Sequence, residues 1–294
     1  MKKENSTYGL SAIIATINRT DELRRLFKTF VLNECQFLEV IVVDQNCNNL
    51  IDHLIEEFSG SFEIVHIKLK EPNQSAARNL GATRAKYPIL CFPDDDCWFE
   101  KNTITNILGY FGNNPNTDLL ILNWSQNPLK SSISMYLSKK IICSFKAPIG
   151  YNTYSLVYKK DTFLKLGGFK KSIGLGKYIG GGEDSELIFR TSLKGYEIFH
   201  DHTLIVNHKY SPTFSRDVAS IRSRERGTGF IYYYHKLPKF IVLKGLLSPC
   251  LRMLTSFQTK KIICYYNVLA ARIEGISYAM KYKNIVKKDN KSSL

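Results

Sequence analysis

Asp94, Asp95 and Asp96 stand side by side behind Pro93, directly after the apolar run Ile89 to Phe92. Three adjacent carboxylates repel one another, and a divalent cation relieves that repulsion while leaving coordination positions open to phosphate oxygens of a substrate. Oxygen-only ligation suits Mg2+ or Mn2+. The competing reading is a solvated acidic turn, because Pro and Asp are ordinary loop residues. A phosphate-loop ATPase, which also places acid at a strand end, is excluded by the lack of any G-x-x-x-x-G-K-S/T.

Arg78 and Asn79 fall at the start of a predicted helix, where a guanidinium can clamp a phosphate and the helix dipole adds attraction; an arginine on a solvated helix face is the plainer alternative. Asp44 ends a predicted strand and can accept hydrogen bonds from a ribose hydroxyl or a base imide, or simply from its own turn. Glycines crowd the segment from Gly167 and Gly168 through Gly174 and Gly176 to Gly180, Gly181 and Gly182. Such a loop lets backbone approach a ligand closely, and it flexes. It delivers Glu183 and Asp184 to a helix N-terminus, as caps or as a poised base. His208 follows another apolar run and could ligate a metal, with His200 and His202 as nearby rivals.

The elements that must position these groups alternate. Ser11 to Ile17 and Leu38 to Val43 are β-branched runs apolar on both faces, as in parallel strands covered on both sides. Between them Leu23, Leu26, Phe27, Phe30 and Val31 recur at helical spacing, with Thr20 or Asp21 as cap. Leu50 to Phe58 reads as helix, Phe62 to Ile67 as strand, Ser75 to Lys86 as helix and Ile89 to Phe92 as strand. Strands are expected again at Asp118 to Trp124, Tyr154 to Tyr158 and Thr203 to Asn207, with a helix from Asp184 to Lys194. The alternation predicts an α/β fold, an open and mostly parallel sheet with helices on both faces, whose ligands bind beyond the carboxyl ends of the strands.

Charge divides the 294 residues unevenly. Met1 to His208 holds 24 basic and 22 acidic residues, whereas Lys209 to Leu294 holds 17 basic and 4 acidic. After Pro238 the pattern becomes basic, apolar-striped helix, which predicts a tail able to lie on an anionic bilayer. Packing of that helix on the body, lysines outward, is the alternative. The seven cysteines form no C-x-x-C pair, so neither a disulfide framework nor a zinc knuckle is expected, and a reducing cytosol fits. Leu10 to Ile17 is too short for a secretory core and Ile262 to Ala271 too short for a membrane span. The expected location is cytoplasmic, peripherally attached to the inner face of the cell membrane.

In order along the chain, the segments SAIIATINR, VIVVDQN, NQSAARNLGA, LCFPDDDCWF and LGGFKKSIGLGKYIGGGEDSELIFR resemble the family 2 glycosyltransferases of the GT-A fold, particularly bacterial enzymes of capsule or lipopolysaccharide assembly. The resemblance runs from about Leu10 to about Tyr234. It implies a catalytic domain over residues 1–235 followed by a helical extension over 236–294. It further implies that Asp44 and Arg78 contact the nucleotide, with Thr16 and Arg19 lining the same pocket. Asp94 would look toward the ribose, with Asp95 beside it in the nucleotide-sugar site, and Asp96 would bind Mn2+ or Mg2+ with His208 as a further ligand. Asp184, paired with Glu183, resembles the general base for the acceptor hydroxyl. Ile17, Gln45, Asn46 and Lys170 depart from the family pattern.

The expected activity is inverting transfer from a nucleoside-diphosphate sugar, a UDP-sugar for preference, to a glycan or lipid-linked acceptor. Two rivals were set against it. A sugar-1-phosphate nucleotidyltransferase needs a glycine-rich loop after the first strand, and Ala15 to Thr20 has no glycine. A basic nucleic-acid binder would rest on the tail's charge alone, with no nucleic-acid module to accompany it; no nucleic-acid partner is expected.

Overall fold

The structure is a computed structural model and describes residues 9–125, 135–137, 152–209 and 217–292. Cys143 lies outside them; the other six cysteines are free thiols. The described residues divide between two compact units. The first is built from residues within 1–139, 151–169 and 190–210, and the second from residues within 140–150, 170–189 and 211–294.

The first unit is a nine-stranded sheet. Its strands are β1 (Leu10–Thr16), β2 (Leu38–Asp44), β3 (Glu63–Lys68), β4 (Ile89–Cys91), β5 (Trp98–Phe99), β6 (Leu119–Trp124), β7 (Met135–Tyr136), β8 (Leu156–Lys159) and β9 (Ile198–Asn207). The order is β3-β2-β1-β4-β8-β6-β9-β5, with β7 paired to β9. The four strands β3, β2, β1 and β4 are mutually parallel, whereas β8 runs antiparallel to both β4 and β6. The chain builds outward from β1 through β2 to β3, then returns to lay β4 on the other side of β1. That reversal opens a crevice at the carboxyl ends of β1 and β4, the place where such sheets bind ligands.

Alternation along β1 shows how both faces are filled. Leu10, Ala12 and Ile14 join one core with Leu23, Leu26, Phe27 and Phe30 of α1 (Asp21–Leu32), Leu54 and Phe58 of α2 (Asp52–Phe58), and Ile104, Ile107 and Phe111 of α4 (Thr103–Asn113). Ile13 points the other way, where a Cβ on Gly81 of α3 (Gln74–Arg84) would meet its Cγ2 at 2.5 Å. Only glycine lets α3 lie this close to the sheet. Asn73 caps α3, its Oδ1 accepting from the Ala76 amide at 2.9 Å. Thr20, expected as a cap for α1, occupies the N-cap position without a side-chain hydrogen bond.

The remaining helices are α5 (Lys160–Lys165), α6 (Glu183–Leu193), α7 (Val218–Tyr234), α8 (Lys239–Leu254) and α9 (Thr259–Ser292). In the second unit, Ile221 packs with Cys264 and Val268, and Phe230 with Ala279. The numbers rise together, so α7 and α9 run in the same direction. They approach at backbone distance: a Cβ on Gly229 would lie 1.9 Å from the Arg272 carbonyl oxygen, and one on Gly275 would lie 2.0 Å from that of Arg226. Ion pairs fix the register, Arg226 Nε to Glu274 at 2.7 Å and Arg272 Nε to Glu225 at 2.8 Å, with Arg222 also on Glu274.

Candidate active site

At the end of β4 the three aspartates diverge: Asp94 meets one arginine, Asp95 and Asp96 share another, and Asp96 also faces an imidazole. Asp94 Oδ1 accepts from Arg78 Nη2 at 2.5 Å. Asp95 accepts from the Thr16 hydroxyl at 2.8 Å and from Arg19 Nη1 at 2.9 Å. Asp96 meets the same Arg19 nitrogen at 2.5 Å through Oδ2, and its Oδ1 lies 3.2 Å from His208 Nε2. The solvated-turn reading fails for this loop, because Asp95 is buried and every member of the triplet is paired. Arg78 is likewise no surface residue: it is 2% exposed, with its guanidinium 5.6 Å over the Phe169 ring.

Topology explains the convergence. Thr16 and Arg19 belong to the end of β1 and the loop after it, and the aspartates to the loop after its neighbour β4. His208 arrives by a different route: β5 pairs antiparallel with β9, setting Trp98 opposite Asn207, so His208 follows directly beside the acid loop. Tyr154 stacks on the imidazole with ring centres 4.4 Å apart and planes at 7°. Of the rival histidines, His200 is buried within β9 and pairs in register with Ile121, while His202 also belongs to that strand.

Electrostatics separate Asp95 from Asp96. Burial raises Asp95, and with Asp94 and Asp96 adding repulsion it is pushed up to about 6 against the opposing pull of Thr16 and Arg19. Burial alone would raise Asp96 too, but His208 and Arg19 outweigh it and hold that group far below the usual carboxylate range. Asp96 is thus kept as an anion more firmly than Asp95.

Asp44, at the end of β2, is fully buried and saturated. Its Oδ1 accepts from the Asn46 amide at 2.8 Å and from the Asn46 side chain at 2.7 Å. Its Oδ2 meets Lys68 Nζ at 2.8 Å and His66 Nε2 at 3.1 Å. Gln45, a departure from the family pattern, accepts from the Asn73 amide at 2.7 Å and so ties the end of β2 to the cap of α3. His66 and Lys68 are site residues that the sequence reading missed. Two positions apart on β3, they share a face, and parallel register sets Lys68 opposite Asp44.

Glu183 and Asp184 belong to the second unit, in the first turn of α6. Glu183 is buried, and Asp184 Oδ1 accepts from the Ser185 amide at 2.5 Å. One turn further, Glu186 is fully buried and faces His235 Nε2 at 3.4 Å and Lys170 Nζ at 4.0 Å. Lys170, which departs from the family pattern, is therefore a countercharge for a buried carboxylate. The last three glycines before α6, Gly180, Gly181 and Gly182, are packed, whereas Gly176 stands open. A Cβ on Gly180 would overlap the Ser223 hydroxyl, and one on Gly182 would come within 3.3 Å of Gly227 on α7.

Two clusters among the described residues bring acid and imidazole groups within 4.8 Å of one another. In the first, Asp96 Oδ1 is buried and makes no hydrogen bond, yet faces His208 Nε2. A buried carboxylate oxygen and an imidazole nitrogen 3.2 Å apart, able to exchange their ion pair for a shared metal, fit a divalent cation. Cys97 completes that cluster, but burial and the adjacent aspartates hold its thiol well above the ordinary value, in its protonated form and unsuited to a hard ion. The second cluster, Asp44, Asp52 and His66, already contains the Lys68 ammonium, 2.8 Å from Asp44 and 3.3 Å from Asp52. It needs no further cation.

Residues 11–154, which carry β1 to β6 and the whole acid loop, match glycosyl transferase family 2. The chain belongs to that family. No curated sequence matches this glycosyltransferase. Among solved structures it is similar to residues 1–349 of S. aureus TarS in complex with UDP-GlcNAc, at 13% identity and a TM-score of 0.63, over 91% of this chain and 81% of that chain. It is also similar to the mannosyltransferase PcManGT from Pyrobaculum calidifontis in complex with GDP-Man and Mn2+, at 14% identity and a TM-score of 0.59, over 94% of this chain and 76% of that one. At such identities the likeness is one of fold, and the fold of the glycosyltransferase is GT-A.

Proposed function

We propose that this glycosyltransferase moves a sugar from a nucleoside diphosphate, UDP for preference, onto a hydroxyl of a glycan or lipid-linked saccharide, with inversion at the anomeric carbon. The observation that carries the reading is the gathering of Thr16, Arg19, Arg78, Asp94, Asp95, Asp96 and His208 at the switch point of the sheet. In it Thr16, Arg19, Asp44, Arg78, Asp94 and Asp95 bind the donor, and Asp96, Asp94 and His208 hold Mn2+ or Mg2+. We take residues 1–235 as the catalytic domain and 236–294 as a helical extension. The UDP preference draws on the TarS complex with UDP-GlcNAc. The GDP-Man complex of PcManGT shows that the shared fold accommodates another base. The acceptor class, capsule or lipopolysaccharide glycan, rests on the motif resemblance.

A divalent cation bound at Asp96 supplies positive charge opposite the negative charge that grows on the departing diphosphate. Arg78, held rigid in its buried slot, presents a guanidinium fork to the same phosphates, and an interaction that strengthens as charge develops is the kind that raises rate. Asp184 takes the proton of the acceptor hydroxyl as its oxygen bonds to the anomeric carbon and the bond to the phosphate oxygen breaks. With one base and no covalent nucleophile assigned, the transfer is a single displacement, hence inversion.

A panel of UDP- and GDP-sugars incubated with Mn2+ tests the donor through slow release of nucleotide. Asp96→Ala should weaken Mn2+-dependent nucleotide affinity in calorimetry by about tenfold or more, the loss of one charge-assisted contact of about 1.5–3 kcal/mol. Asp184→Asn should abolish transfer and leave nucleotide affinity intact. Full transfer by Asp184→Asn, or unchanged metal dependence in Asp96→Ala, would sink the respective assignment.

A further inference from the structure

Helix α8 carries two apolar faces. Ile241, Gly245 and Pro249 form the inner one and are buried. A Cβ on Gly245 would meet the Tyr232 hydroxyl of α7 at 2.1 Å, and the Gly245 carbonyl accepts from Arg272 Nη1 of α9 at 2.6 Å. Phe240, Leu243, Leu247, Leu251 and Leu254 form the outer one and are 48–83% exposed. At about 100° per residue these five fall within an arc of about 80°, on the side opposite the buried three. Phe257, in the link to α9, is exposed over its entire side chain. Packing of the helix within its own unit therefore leaves this row uncovered. A contiguous apolar row of this length on a protein surface marks an interaction site.

Charge identifies the occupant. Between Glu225 and Glu274 the sequence has eight basic residues and no acidic one. By the same angular count Lys239 and Lys244 fall along the two edges of the apolar row, with Lys236, Lys260 and Lys261 just beyond its ends. A second copy of the chain would bring the same cations against them with no acid to neutralise either side. A bilayer of anionic lipid offers both an apolar depth and a negative surface. No helix among the described residues is long and apolar enough to cross a membrane, so the contact is with the surface.

We propose that the outer face of α8, continued by Phe257, is a membrane-docking surface. Its five apolar side chains enter the boundary between headgroups and acyl chains, while Lys239 and Lys244 meet the lipid phosphates. The inference rests on α8 and its flanking charges and does not depend on the catalytic assignment.

Co-sedimentation of the full chain with phosphatidylcholine vesicles, with and without phosphatidylglycerol, tests it. Binding is expected to the anionic vesicles and to fall with salt. The triple variant Leu243→Ser, Leu247→Ser, Leu251→Ser should bind at least tenfold more weakly while its circular dichroism still shows the folded helical chain, since the three side chains are 48–62% exposed and lie outside the buried face of α8. Lys239→Glu with Lys244→Glu should lose the preference for anionic lipid, by about fivefold for each cation removed. The proposal is overturned if the wild-type chain stays in solution with anionic vesicles, or if the triple variant binds as well as wild type. It is equally overturned if light scattering shows a dimer that the triple variant splits while vesicles are ignored.

Discussion

Asp44 receives hydrogen bonds from Asn46, Lys68 and His66 in a site closed to solvent. Burial alone would raise its carboxyl, but Lys68, then Asn46 and His66, more than offset that and hold it below the ordinary value. A folded-state value below the unfolded one, about 3.9, means stability that is fully present above that pH and is lost as pH falls through the folded value. Asp44→Asn should therefore lower stability at neutral pH and flatten the loss of stability on acidification below about pH 4. Urea midpoints of both proteins across pH 2–7 would check it, and parallel curves would contradict it. The groups that could bind substrate were legible in the sequence because they end apolar runs, and strand ends are where such sheets bind. Their pairing was not legible. Which aspartate meets Arg78 and which meets His208 depends on how β1, β4 and β9 are registered, and no local signal in the chain encodes that. His66 and Lys68 escaped notice because β3 is an edge strand of mixed exposure, whose alternation reads as ordinary surface.

At the level of elements, buried runs announced themselves. β1 and β2 are buried at every position, as continuous apolar runs require. The two-residue strands β5 and β7 were invisible, since two residues carry no period. β9 was seen only from Thr203 onward because His200, Asp201 and His202 interrupt its apolar pattern. One junction has a measurable strength. Asn79 of α3 donates to the Phe169 carbonyl at 2.8 Å and accepts from the Phe169 amide at 2.8 Å, mimicking a strand partner for the loop that leaves α5. Asn79→Ala should cost about 2–3 kcal/mol, from two backbone groups left unsatisfied, and should free the Phe169 ring that lies against Arg78. A urea-midpoint loss below about 0.5 kcal/mol would show that the loop is anchored elsewhere.

Over the whole molecule the uneven charge was the most readable property, since a count needs no fold. What the count did not reveal is that the basic tail is also core. Ile221, Phe230 and Tyr232 of α7 are buried, with Cys264, Ala279 and Gly245 of the tail among the groups that cover them. Uncovering three such side chains costs about 1.5–3 kcal/mol each, comparable in sum to the total stability of a typical protein. Deleting residues 236–294 should thus yield a chain that aggregates or unfolds without a cooperative second transition in calorimetry. A soluble, cooperatively folding remnant would show that the tail is dispensable for folding.

The glycine-rich segment before α6 was expected to flex and to let backbone approach a ligand closely; its last three glycines are wedged against Ser223, Arg224 and Gly227 of α7. The height at which Asp184 is offered is consequently set by a helix that begins some thirty residues later and bears no reactive group at the point of contact. Tuning of such a carboxylate, whether by selection or by hand, would leave its trace at silent positions such as 223 and 227, where a search confined to acids and bases would never look.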